Sequence, residues 1–156
     1  GNSKINDKKN INSEIKAKNL YVGIMPLKLT LKPEEKILIG TAVITNAGQK
    51  CEIMIQNTVP VLREKDIITE EKADTLVKKL YHVILNMYVE PKHEQEYHEI
   101  YFKLVKELFN ACPDKVILAM IMEVSQKILE GNHYQALKKC KKLLNFEAEL
   151  LTNVPG

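Results

Sequence analysis

The chain is 156 residues long, with 45% apolar and 28% charged residues, the length and balance of one average soluble domain or two very small ones. No run of about 18 apolar residues occurs, which excludes a transmembrane helix, and the N-terminus lacks the apolar core of a secretory signal. The formal net charge is +3, but residues 1–24 carry five lysines against Asp7 and Glu14, so residues 25–156 hold 18 basic and 18 acidic groups; a broadly basic face for nucleic acid is therefore excluded there.

Residues 1–24 are rich in Asn, Lys and Ser and bury too little apolar surface to offset ordering. They read as a flexible leader, with Met25-Pro26 a plausible alternative start. Leu27, Leu29 and Leu31 alternate with Lys28 and Thr30, the period of a half-buried strand. Pro33 interrupts the ladder. Residues 36–45 (KILIGTAVIT) read as a second strand, with Gly40 a bulge or bend. Asn46-Ala47-Gly48-Gln49 predicts a hairpin turn. Cys51, Ile53 and Ile55 alternate with Glu52, Met54 and Gln56 in a third strand. Val59-Pro60-Val61-Leu62 reads as a short edge strand, limited by Pro60.

From residue 69 the apolar period lengthens to that of a helix. Thr69 is a good N-cap for a first helix over 70–89, with Ala73, Val77, Leu80, Ile84 and Met87 as its inner stripe. Glu90-Pro91 ends it. A second helix spans 93–111 through Tyr97, Tyr101, Leu104 and Leu108, and Pro113 stops it. A third spans 114–130 with Val116, Ala119, Met120, Val124 and Ile128 inward, closed by Gly131-Asn132. A fourth spans 133–151 with Leu137, Cys140, Leu144, Ala148 and Leu151 inward. Short loops imply antiparallel neighbours. The fold class is α+β: an N-terminal β-meander of about four strands (25–67) packed on a C-terminal four-helix segment (68–156), with 25–156 one compact unit. So small a meander must pack on the helices or pair with a second copy.

Three cysteines, at 51, 112 and 140, lack the paired spacing of a disulfide framework or a zinc site. Reduced thiols and a cytoplasmic location are expected. His93 and His98 sit near Glu94 in a stretch with a superficial likeness to a metalloprotease helix. Histidines five apart point about 140° from each other on a helix, whereas that motif needs a spacing of four. No nucleotide-binding glycine loop and no nucleophile elbow occur. No catalytic residue, cofactor or metal site is expected. The run Lys138-Lys139-Lys141-Lys142 reads as the solvated face of the fourth helix, with a phosphate contact as the sharper alternative. Arg63 is the only arginine among 23 basic residues. Its planar fork can bind phosphate or a guanine edge, or bond a carboxylate or the sheet-to-helix joint.

Residues 25–152 resemble the bacterial flagellin-synthesis regulator family FlbT. The matching stretches are Met25-Pro26-Leu27-Lys28-Leu29, Leu31-Lys32-Pro33 with Glu35, Ala42-Val43-Ile44, Val61-Leu62-Arg63-Glu64-Lys65-Asp66-Ile67, Ala73-Asp74-Thr75 and Tyr134-Gln135-Ala136-Leu137. The Leu-Arg-Glu-Lys-Asp-Ile segment is the most specific of these. The family usually has Asn-Gly where Gly40-Thr41 stands, and proline where Leu76 stands. The resemblance implies a post-transcriptional regulator that acts on the 5′ untranslated region of flagellin messenger RNA and lowers its translation and lifetime, though some members help flagellin production instead. It also implies FlaF as a partner, and the apolar and Tyr residues of the helical half could form a groove for FlaF or for a flagellin helix.

The β segment is also similar, more weakly, to the carbon storage regulator, an RNA-binding family. The shared features are Leu29-Thr30 followed by a basic residue, an acidic residue near 35, Ile39-Gly40 and the Val61-x-Arg63-Glu64 ending. In that family a swapped dimer grips RNA between its first strand and the arginine after its last. The RNA contacts implied by this likeness are Leu29, Thr30, Lys32 and Arg63. Lys28, Lys32 and Lys36 would position phosphates while Arg63 reads bases, and a homodimer through the β segment is expected. No membrane partner is expected. The rival reading is a protein-interaction adaptor or chaperone-like factor acting through FlaF or flagellin without touching RNA.

Overall fold

The computed structural model describes residues 26–111 and 114–152. The leader, Met25, Cys112 and the Pro113 stop lie outside the described residues. The fold is α+β, with a strand unit running up to Glu64 and a helix unit from Lys65 onward.

Among the described residues, five strands, rather than four, lie in the strand unit: β1 (Leu27–Leu31), β2 (Lys36–Ile39), β3 (Ala42–Thr45), β4 (Cys51–Ile55) and β5 (Val61–Arg63). They do not follow one another as a simple meander. β1 pairs antiparallel with β4, Leu27 opposite Ile55 and Leu31 opposite Cys51. β2 lies between β3 and β5 in a second antiparallel sheet.

The two departures from the sequence reading have one cause. Residues 36–45 are a hairpin, because Gly40 adopts φ of +61° and Ile39 pairs with Ala42. Positive φ at the first of two loop residues is the pattern of a type II′ turn, whose twist matches the flanking strands. The Asn-Gly that the resemblance leads one to expect at this point would suit the related type I′ turn. With the reversal placed at Gly40-Thr41, Asn46-Ala47-Gly48-Gln49 is not a hairpin turn. It carries the chain from β3 in one sheet to β4 in the other. Alternation along β4 is as expected, Cys51, Ile53 and Ile55 being more buried than Glu52 and Met54. Among the described residues of this unit only Leu31, Ile37 and Leu62 are fully buried apolar side chains.

The helix unit holds α1 (Leu76–Val89), α2 (Glu94–Ala111), α3 (Lys115–Leu129) and α4 (His133–Thr152). α1 begins later than expected. Thr69 makes no side-chain cap bond, and residues 70–72 form only a 3-10 turn. Thr75 is the effective cap, its Oγ1 accepting from the Lys78 amide at 3.1 Å. Leu76 is then the first helical residue, the position where a proline is tolerated because its N–H would be unpaired anyway. The proline usual in the family at this point therefore fits the same boundary.

α1 packs against α2 and α4, and α4 also packs against α3. The core takes Leu80, Ile84 and Met87 from α1, Tyr101 from α2, Ile121 and Val124 from α3, and Cys140 and Leu143 from α4. The inner stripe of α3 is Ile117, Ile121, Val124, Ser125 and Ile128. It lies one residue C-terminal to the expected start, and Val116 is exposed. The α3–α4 connection is a Schellman motif. Gly131, at φ +76°, donates to the Ile128 carbonyl at 3.0 Å, and Asn132 donates to the Lys127 carbonyl at 2.9 Å. Asn132 Oδ1 then accepts from the Gln135 amide at 3.2 Å and caps α4. This three-residue link, Glu130-Gly131-Asn132, fixes His133 at the first position of α4.

Candidate functional site

The chemistry of the strand unit gathers where its two sheets meet. Lys32-Pro33-Glu34-Glu35 turns the chain from β1 into β2, with the Glu35 amide donating to the Lys32 carbonyl at 3.1 Å. Pro33 holds the first corner. Glu34 takes the left-handed corner at φ +64°, the pattern of a type II turn in which glycine is usual. The turn aims the Glu35 carboxylate inward. Its Oε2 accepts from the Lys32 amide at 2.8 Å, and its Oε1 accepts from Arg63 Nη1 at 2.6 Å. The same guanidinium donates from both Nη atoms to the Thr30 carbonyl, at 3.3 and 3.4 Å. Arg63 and Glu35 are 30% and 24% exposed, so the pair is screened on several sides. The amide of Lys32 and then the Arg63 charge hold the Glu35 carboxyl below its ordinary pKa, with partial burial opposing them.

A second clamp lies beside the first. The Asn46 side-chain amide donates to the carbonyls of Leu31, Lys32 and Gln49 at 3.1, 3.1 and 2.9 Å. Its Oδ1 accepts from the Gly48 amide at 3.1 Å. Asn46 thus binds the end of β1 to the segment leaving β3, a role that a plain turn residue does not have.

Of the expected RNA contacts, the joint brings Thr30, Lys32 and Arg63 together. Both Nη atoms of Arg63 are engaged at the joint, which is the structural alternative weighed for that residue. Leu29 and Thr30 are half-buried on β1, while Lys28, Lys32 and Lys36 are exposed. Lys28 is not brought to the joint; its ammonium lies 3.2 Å from Glu52 across the β1–β4 ladder. Lys36 opens β2 opposite Thr45.

In the helix unit the lysine run of α4 resolves into separate contacts. Lys139 reaches Glu123 at 3.5 Å. Lys141 lies 3.6 Å from Asp66 and over the Tyr81 ring. Lys138 lies over the Tyr134 ring. These are mostly contacts within the unit, in keeping with the solvated-face reading. An open cleft of about 350 Å³ runs between α1 and α2, lined by Lys79, His82 and Asn86 on one side and Tyr97, Ile100 and Leu104 on the other. Tyr101 is core, as expected; its hydroxyl shares a 2.7 Å hydrogen bond with Ser125.

His93 and His98 point apart, as their spacing of five predicts. His93 is exposed and turns toward Glu96, at 3.9 Å. His98 instead meets Glu94, four residues earlier on the same face of α2, and both meet His133 of α4. The i, i+4 Glu94–His98 spacing was visible in the sequence; the third member comes only from the fold. Burial lowers the His133 pKa, against the pull of Glu94, which favours neutral imidazole.

The family model described as "Flagellar protein FlbT" matches residues 27–151. The chain belongs to the FlbT family. Its relatives include the probable flagellum biosynthesis repressor protein FlbT 1 of Bradyrhizobium diazoefficiens, 40% identical over 81% of this chain and 85% of that protein. The probable flagellum biosynthesis repressor protein FlbT of Rhodopseudomonas palustris is 41% identical over 82% of this chain and 99% of its own length. The flagellum biosynthesis repressor protein FlbT of Caulobacter vibrioides is 31% identical over 83% of this chain and 92% of its own length. No solved structure matches. The stretch matched by the family model takes in both FlbT units, from β1 to α4. No helix among the described residues is long and apolar enough to cross a membrane.

Proposed function

We propose that this FlbT-family chain represses flagellar synthesis after transcription, in the cytoplasm, by binding the 5′ untranslated region of flagellin messenger RNA and lowering its translation and stability. The observation that carries the reading is the family match over residues 27–151, joined to relatives that are named as flagellum biosynthesis repressors. No catalysis is involved. The exposed Lys28, Lys32 and Lys36 contact phosphates, beside the half-buried Leu29 and Thr30 of β1. Arg63 holds the joint that presents Lys32, through Glu35 and the Thr30 carbonyl, while Lys28 stands on β1 beside Glu52. A second copy pairs along the edge strand β3, whose Val43 is 72% exposed, and so covers apolar surface that three buried side chains leave unshielded.

The test is fluorescence anisotropy of a labelled flagellin leader RNA against the full chain across a salt series. Binding is expected to weaken with salt. Changing Lys28, Lys32 and Lys36 together to alanine is expected to flatten the log–log salt slope by about 2, since each single-strand phosphate contact contributes about 0.7. Absence of binding in dilute buffer overturns the proposal. The α1–α2 cleft, with Tyr97 and the exposed Ile100 on its wall, favours one rival: an adaptor that holds a helix of FlaF or flagellin. A complex with either protein, combined with silence toward RNA, selects that rival.

A further inference from the structure

Glu94 and His98 project from one face of α2, four residues apart, and His133 opens α4 beside them. Their donor atoms all lie within 4.8 Å of one another. His98 Nε2 is 3.4 Å from Glu94 Oε1, and His133 Nε2 is 3.2 Å from the same oxygen. Neither approach is aligned as a hydrogen bond, and both Nε2 atoms are buried with no hydrogen-bond partner among the described residues. In a plain imidazole–carboxylate pair the N–H would point along the line to the oxygen. Here two imidazole nitrogens flank one carboxylate oxygen instead. Ligands bound tetrahedrally to zinc at about 2.0–2.1 Å sit about 3.3–3.4 Å apart, close to both measured separations.

We propose that Glu94, His98 and His133 form a binding site for a divalent transition-metal ion of the zinc type, with two imidazoles and one carboxylate as ligands and one position left for water or an outside donor. The donor set selects the class: imidazole suits zinc and its neighbours, whereas magnesium and calcium prefer all-oxygen sites. The ion would join the start of α2 to the start of α4. These helices otherwise meet chiefly through α1, so the bond adds a cross-link that the apolar packing does not supply. Three features hold the ligands in place. The Schellman link at Gly131-Asn132 fixes the start of α4, Phe102 packs edge-on against the His98 ring, and Tyr101 anchors α2 in the core. The site is built by the helix unit alone and does not depend on the RNA reading.

The test uses the full chain, stripped with chelator and titrated with zinc by calorimetry and with cobalt by absorption. One equivalent is expected to bind, the cobalt form is expected to show the intense visible bands of four-coordination, and zinc is expected to raise the melting temperature. His98→Gln and His133→Gln are each expected to weaken zinc binding on the order of 100-fold, while His93→Gln leaves it unchanged. No stoichiometric binding by the wild-type chain overturns the proposal, as does binding that survives His98→Gln with His133→Gln. If that double variant fails to fold, Glu94→Gln, which keeps the side-chain shape, must show the loss; unchanged binding there also refutes the site.

Discussion

Removing one oxygen from the helical core tests how α2 is held. Tyr101 is fully buried and Ser125 is nearly so, at 0% and 8% exposure, and their hydroxyls share a 2.7 Å hydrogen bond. Only Tyr101 and Leu108 of α2 are buried, so this bond to α3 carries unusual weight. Tyr101→Phe keeps the ring and its edge-to-face contact with Phe102 but leaves the Ser125 hydroxyl without its partner. A buried hydroxyl left unpaired costs about 1–3 kcal/mol. Ser125 can instead turn toward the carbonyl one helical turn back, so the lower part of that range applies, about 1–2 kcal/mol. In a helical unit of this size that lowers the melting temperature by about 5–10 °C. Ser125→Ala should cost less, about 0.5–1.5 kcal/mol, because alanine is the better helix former. The double variant removes both partners, so it should recover about 1 kcal/mol relative to the sum of the singles. Urea unfolding followed by far-ultraviolet circular dichroism measures all four chains. Strict additivity, or a Tyr101→Phe variant within about 0.3 kcal/mol of the parent, would refute the reasoning.

Other consequences follow from the same structure. Burial, with Asp66 and Cys140 adding to it for Tyr81, raises the phenol pKa values of Tyr81 and Tyr101 far above the ordinary range. Both phenols are neutral in the folded chain, so their contribution to stability is complete below about pH 10, the unfolded value, and declines above it. Absorbance titration should show them ionising only with unfolding, and Tyr81→Phe with Tyr101→Phe should soften that alkaline limb. The lowered pKa of Glu35 works in the opposite direction. Its contribution is present above the ordinary carboxyl pKa of about 4.3 and is lost as pH falls through the lower folded value. The melting-temperature gap between the parent and Glu35→Gln should therefore be wide at neutral pH and narrow in acid; a constant gap would show that Glu35 does not act through its charge. Gly40→Asn alone should destabilise the strand unit by about 1 kcal/mol, whereas Gly40→Asn with Thr41→Gly should regain most of that by adopting a type I′ turn. Thermal melts compare the two. Burial raises the Cys140 thiol pKa and hides the group, so peptide-level mass spectrometry should find it unlabelled by maleimide until the helices unfold.

The apolar period of α1 was legible, whereas Val116 and Ala119 of α3 and Ala148 and Leu151 of α4 are exposed although their spacing places them inward. The stripe of α1, Val77, Leu80, Ile84 and Met87, is buried as its spacing predicts, and each helix boundary marked by proline or glycine lies within a few residues of its mark. The strand unit was harder because two turn signals competed. Asn46-Ala47-Gly48 looks like a hairpin, yet Asn46 spends its amide on three carbonyls of a crossing, and the true reversal needs only Gly40. Turn chemistry says where a chain can bend; which strands then pair is decided by long-range contact. The helical start at Leu76 was missed for a related reason. Thr69 and Thr75 are both good caps by type, and only the second has its hydroxyl aligned on an amide. The metal-ligand cluster was half visible. Glu94 and His98 stand four apart, but the metalloprotease comparison concerns only His93 and His98 and ends by separating them, and the partner from α4 lies 35 positions beyond His98 in a sequence whose fold must be known first.

Arg63 bears most directly on mechanism. An arginine can serve RNA with its fork or serve the fold with it, and here Glu35 Oε1 and the Thr30 carbonyl take both Nη atoms. Opening that pair to read a base would expose a carboxylate beside the phosphate chain, a repulsion that the bases would have to outweigh. A design that keeps the pair closed works differently: the guanidinium neutralises Glu35, and the turn then offers Lys32 and Lys36 to RNA with the exposed Glu34 as the carboxylate left beside them. The two cases separate by substitution. If the pair stays closed, Glu35→Gln should weaken RNA binding, because the joint loosens. If Arg63 is the reader, Glu35→Gln should strengthen it, because the fork is freed. Anisotropy titrations with the flagellin leader RNA give the sign, and the closed-pair account fails if affinity rises.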